Sequence, residues 1–182
     1  MGRVPAFAVA LLVLALLVLL LPERVPIPLR ELSADPWTVL CVVPAMALPH
    51  VLSPRYDHML AVLPTRIESL RAVVAGTCVS LTVVTIGGLA VLADHSLTVG
   101  LRNALGAMAL CLLLCIVMSG EQVGVGLFAV AVAVWMFGRD SIGGEVEGWA
   151  LLMLPATPMQ VVVAGGLCLL AGLAWVRWGS AA

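Results

Sequence analysis

The chain has 182 residues, 63% of them hydrophobic and 10% charged, with a net charge of −1 and a mean hydropathy of +1.17. A soluble domain is nearer half apolar and about a quarter charged, so the excess apolar surface here has to face lipid. That excludes a cytosolic globular enzyme, a secreted disulfide scaffold and a DNA-binding module, and no basic stripe invites nucleic acid.

Lysine is absent, and all nine basic residues are arginine. A Walker A phosphate loop and a Schiff-base enzyme both need a lysine, so the chain is neither. The abundance of Ala, Val, Leu, Gly and Arg fits a GC-rich bacterial genome. Cys41, Cys78, Cys111, Cys115 and Cys168 all lie in apolar runs, where cysteine behaves as a small hydrophobe.

A helix needs about 20 mostly apolar residues to cross the hydrocarbon core. Six candidates appear in order, at about 6–21, 37–52, 73–93, 103–118, 123–137 and 161–178. The first follows Arg3 and ends at Pro22-Glu23-Arg24, which is no cleavage site, so it reads as a retained helix. The second carries Pro44, Pro49 and His50. The two prolines predict a kink there, and His50 marks its end. The stretch from Trp149 to Leu154 is too short to span and reads as an interfacial or re-entrant piece.

Six spans put both termini on one side. With the N-terminus inside, Arg3, Arg55, Arg66, Arg71 and Arg177 are cytoplasmic, against Arg24, Arg30, Arg102 and Arg139 outside. The bias is small by number, but three of the five cluster in one loop, which favours N-in, C-in. The expected fold is an all-α integral membrane protein, a single transmembrane domain over 1–182.

The loop at 53–72 is patterned. Ser53-Pro54 is an N-cap with proline at the first helical position. Tyr56, Met59, Leu60 and Leu63 fall on one helical face, with Arg55, Asp57 and His58 off it. Pro64 stops this short helix. Thr65-Arg66-Ile67-Glu68 is a capping box that starts a second helix, which runs into the third span. A partner pushing on the short helix would move the span joined to it; the plainer reading is an amphipathic helix lying at the membrane surface.

Asp57 followed by Leu60-Ala61-Val62-Leu63-Pro64-Thr65-Arg66-Ile67-Glu68-Ser69-Leu70-Arg71 resembles the loop after the second span of ABC-2-type transporter permeases, the type V exporter-like group. The segment Trp149 to Met159, with Pro155 and Pro158, resembles the proline-containing stretch before that family's last span. The resemblance implies a permease subunit of an ATP-driven exporter in the bacterial cytoplasmic membrane, moving an apolar or amphipathic substrate outward. It implies a second permease chain and a separate ATPase subunit, which uses ATP and Mg while this chain binds no cofactor. Arg55, Tyr56, Asp57, His58, Met59, Leu60, Leu63 and Arg66 would then contact the ATPase as a coupling helix. The alternative is a small accessory or immunity membrane protein with no ATPase.

Ionisable groups at membrane depth are functional suspects. Pro44, Pro49, His50 and Glu121 are candidates for a gating or substrate path. Arg102 opens the fourth span, where snorkelling and capping suffice to explain it. Gly120-x-x-x-Gly124, Gly87-Gly88 and Gly165-Gly166 permit close helix packing. Trp175 and Trp178 beside Arg177 read as a membrane-surface anchor. No histidine opens a His-Glu-x-x-His motif and no Gly-x-Ser-x-Gly occurs, so no catalytic residue is expected.

Overall fold

A computed structural model describes residues 4–21, 25–26, 33–52, 64–137, 146 and 150–178. Among them are seven helices: α1 Val4–Leu20, α2 Trp37–Leu40, α3 Val43–Leu52, α4 Pro64–Leu92, α5 Leu97–Leu114, α6 Gly120–Phe137 and α7 Pro158–Trp178. A two-residue antiparallel ladder pairs β1, Val25–Pro26, with β2, Ser33–Ala34. Four helical stretches are long and apolar enough to cross a membrane: Glu68–Leu92, Leu97–Leu114, Gly120–Phe137 and Pro158–Trp178. The chain is thus helical, and these four stretches point to a membrane-embedded protein. Phe7–Leu20 and Trp37–Leu52 are shorter apolar helices.

The expected second span is two helices. The break falls at Cys41 and Val42, ahead of both prolines. Pro44 explains it: it has no N–H to offer the Leu40 carbonyl, and its ring crowds that carbonyl. Pro44 is left in the first turn of α3, while Pro49 sits inside that helix. The start of α2 is set by Asp35, whose Oδ1 accepts from the Trp37 N–H at 2.8 Å, while Thr38 Oγ1 donates to the Asp35 carbonyl at 2.8 Å. This is the local side-chain turn that Asp favours.

Helix α4 runs unbroken for 29 residues. It begins at Pro64 and includes 64–72, the stretch read from sequence as leading into the third span. A tight turn follows, in which Asp94 adopts φ 53°. Ser96 then caps α5, its Oγ accepting from the Val99 N–H at 3.4 Å.

Two of three apolar clusters run through the bundle, and the third, Val134, Ala150 and Met153, seats the turn at 151–154 on α6. The larger joins Phe7 and Leu11 of α1 with Leu48 of α3, Met108 and Leu112 of α5, Leu127 of α6, and Cys168 and Trp175 of α7. The smaller joins Leu14 and Val18 of α1 with Trp37, Cys41, Ile86, Leu89 and Ala104. Helices α5 and α7 form the most extensive pair. Trp175 is not a membrane-surface anchor: it is 3% exposed and packs beneath the Arg71 guanidinium, 5.7 Å from its ring centre. That contact ties α4 to α7. Trp178 is exposed, and the Arg177 guanidinium lies 6.0 Å from its ring.

Gly120 and Gly124 face α3. A Cβ on Gly120 would lie 3.1 Å from both the Pro49 ring and the Pro49 carbonyl, and one on Gly124 would lie 3.5 Å from the Met46 carbonyl. This small-residue motif therefore packs two helices of the same chain.

Candidate functional site

Most of the spans' surfaces are plain apolar side chains, as lipid requires. One region is different. Arg102 lies in α5 five residues after its start at Leu97, about 7.5 Å along the axis at the rise of a helix. Asn103 follows it, 2% exposed, at a depth where an unpaired amide would be costly. Its Nδ2 donates to the Thr38 carbonyl at 2.7 Å and to the Leu152 carbonyl at 2.8 Å. Its Oδ1 accepts from Arg102 Nε at 3.0 Å and Nη2 at 2.9 Å. One amide thus ties α2, α5 and the turn at 151–154 together.

Arg102 extends the network outward. Its Nη2 donates to the Leu152 carbonyl at 3.2 Å, and its Nη1 to the Pro155 carbonyl at 3.2 Å and to Gln160 Oε1 at 3.4 Å. All these acceptors are neutral, and among the described residues no carboxylate pairs with the guanidinium. Gln160 belongs to a reciprocal cap of α7. Its N–H donates to Thr157 Oγ1 at 3.4 Å, and its Oε1 accepts from the Thr157 N–H at 3.2 Å. Thr157-Pro158-Met159-Gln160 is thus a capping box with proline at the first helical position.

Below this polar cluster lies a groove of about 760 Å³. It forms because α6 and α7 hardly touch each other, while α5 lies behind both. Ala107 and Leu127 line its inner part, and Val130, Met159, Val163 and Leu167 line its outer edge. Those four are exposed, so the groove opens sideways, to the surface that faces lipid. Arg102, Asn103, Thr157 and Gln160 close one end.

In comparisons with known proteins, no family model, no curated protein and no solved structure matches this chain.

The residues singled out from sequence lie elsewhere. Arg55, Tyr56, Asp57, His58, Met59, Leu60 and Leu63 fall outside the described residues, and Arg66 lies in α4 with no side chain described. Pro44 and Pro49 are buried in α3, His50 is exposed beside Pro49, and Glu121 is exposed in the first turn of α6. Gly120, the residue before Glu121, packs on Pro49. None of these four lines the groove. From sequence, Asn103, Thr157 and Gln160 carry no assigned role, and Arg102 is explained by snorkelling and capping. Two signals were there to read: the only asparagine of the chain sits inside an apolar run next to an arginine, and Thr157 to Gln160 has the capping-box spacing.

Proposed function

We propose that the chain is the permease subunit of an ATP-driven exporter of the ABC-2 type, working with a second permease chain and a separate ATPase in a bacterial cytoplasmic membrane. Six crossings with both ends inside, counting α1 and the broken pair α2–α3 as short spans, complete this reading. The observation that carries it is the length of α4. Its 29 residues make about 43 Å of helix, against about 30 Å of hydrocarbon. The excess lies at the Pro64 end, where the patterned segment 53–63 joins it. A push on that segment would reach the bundle through one rigid rod, tied to α7 by Arg71 and Trp175. The sideways-opening groove suits a substrate that enters from the bilayer.

The test is purification of the tagged chain in mild detergent from its own membranes, with ATP hydrolysis measured on the eluate. Wild type is expected to bring down an ATPase. The Asp57→Ala, Leu60→Ala double variant is expected to reach the membrane at the same level and lose it. Hydrolysis that survives in the variant removes the coupling-helix assignment. An eluate without ATPase from wild type overturns the permease reading in favour of an accessory membrane protein.

A further inference from the structure

Arg102 poses a problem that the bundle alone does not solve. A guanidinium carries a full charge, yet every acceptor it meets among the described residues is neutral. Arg102 is half-buried, and a guanidinium bound only to neutral groups keeps its full charge to offer an anion. The two contacts of Nη1 are on the exposed side of the cluster, and the one to Gln160 is the longest Arg102 makes, at 3.4 Å. Nη1 is thus the corner of the fork that an incoming oxyanion can take with least loss. Two neutral donors flank it. Among the described residues, the Gln160 amide NH₂ has no partner, and the Thr157 hydroxyl accepts a bond from Gln160 and donates none.

What lies beneath is apolar and of limited size. From Arg102 to Leu110, α5 lines the groove over about 12 Å. A volume of 760 Å³ is in the range of a pocket for one drug-sized ligand, about 300–1,000 Å³. Charge at one end, an apolar trough at the other and an open side toward lipid define one class of ligand.

We infer that this groove binds a membrane amphiphile with an acidic headgroup, a phosphate or carboxylate held by Arg102, Gln160 and Thr157, and one acyl chain laid between α6 and α7. Arginine suits the role because its fork meets two oxygens of such a group at once. As a transported substrate the amphiphile rests on the permease reading; its binding does not, and needs no ATPase.

The test therefore uses the purified full chain alone, in a neutral detergent. Native mass spectrometry and thermal unfolding follow three probes: lysophosphatidic acid, a monoacylglycerol of the same chain length, which lacks the phosphate, and inorganic phosphate. The acidic lipid is expected to bind one per chain and raise the unfolding temperature. The neutral lipid is expected to bind about tenfold or more weakly, the scale of one lost charge-assisted contact. Phosphate alone is expected not to bind. Arg102→Gln should abolish the preference for the acidic lipid. Because Arg102 also holds the turn at 151–154, a second variant is needed: Val163→Trp fills the groove from its outer edge and should block the acyl chain while leaving the arginine in place. Equal binding of the two lipids, full binding by Val163→Trp, or binding of free phosphate as tight as that of the lipid would each overturn the inference. Its failure would leave the ATPase result untouched.

Discussion

Asn103 is where the interior of this molecule is most exacting. Its amide donates both hydrogens to backbone carbonyls of other segments, Thr38 and Leu152. A buried acceptor left without its donor costs about 1–3 kcal/mol. Asn103→Leu, close in shape, strands the Thr38 carbonyl, leaves the Leu152 carbonyl to Arg102 alone, and removes the acceptor that orients Arg102. We predict a loss of about 2–4 kcal/mol on that basis, read as a lower unfolding temperature in detergent. A variant that melts with wild type would show that the network is incidental to stability. Gly100 is exacting for a different reason. A Cβ there would fall 2.5 Å from Trp37 Cζ2. That indole cannot easily swing away, because its Nε1 donates to the Ser96 carbonyl at 3.0 Å and its ring stacks on His95 at 5.0 Å. Gly100→Ala should cost about 1–3 kcal/mol through overpacking. The prediction is specific: Trp37→Leu should remove most of the alanine's effect, and additive losses in the double variant would refute the clash.

At the scale of elements, the glycines divide into two kinds. Gly120 lets α6 lie against Pro49 of α3, with 3.1 Å to a carbonyl that cannot turn aside. Gly166 of α7 is exposed, and a Cβ there meets nothing within 4 Å in this chain. Gly120→Ala is therefore expected to lower the unfolding temperature and Gly166→Ala to leave it equal or higher. If Gly166→Ala instead destabilises purified protein at high concentration and not at low, a second chain packs on that face of α7. The same contrast shows what sequence reading reaches and where it stops. Hydropathy located the helical stretches to within a few residues at most ends, since length and apolarity are all that lipid asks of a span. Local chemistry was legible wherever a cap or a proline acts on its own neighbours. The direction each helix faces was not. In water a polar face marks the outside; in lipid the outside is apolar too, so α1 and α4 show no stripe to read. That is why Arg102 reads from sequence as a residue explained by snorkelling and capping, although it binds the Leu152 and Pro155 carbonyls of its own chain. It is also why the groove between α6 and α7 had no signature: its walls are the same valines and leucines that face lipid elsewhere.

For the whole molecule, the decisive quantity is how many times the chain crosses. Four helices have the length. Helix α1, with 17 residues, makes about 25 Å, somewhat short of the about 30 Å core, and the second candidate is broken at Cys41. Short spans are tolerated where the bilayer thins or flanking residues reach outward, at fractions of a kcal/mol per Å. Packing favours their crossing. The first half of α1 joins the larger cluster with Trp175 near the end of α7, and its second half joins the smaller one with Trp37 and Leu89. It thus runs the depth of the bundle. Cysteine labelling decides the matter. Cys41, Cys78, Cys111 and Cys168 are buried and Cys115 is half-buried, so a Cys115→Ala background should be nearly silent to a membrane-impermeant maleimide. In that background we predict that Leu97→Cys, at the start of α5, labels from one face and Ser119→Cys, just before α6, from the opposite face. Residues just before α1 and just after α7 should label from the same side as Ser119→Cys, because α1, the α2–α3 pair and α4 to α7 then make six crossings. Labelling of Leu97→Cys and Ser119→Cys from one face would mean that α5 does not cross. Termini on opposite faces would mean that α1 or the broken pair lies along the membrane instead, and the polar end of the groove would have to be reassigned to a side of the bilayer by measurement.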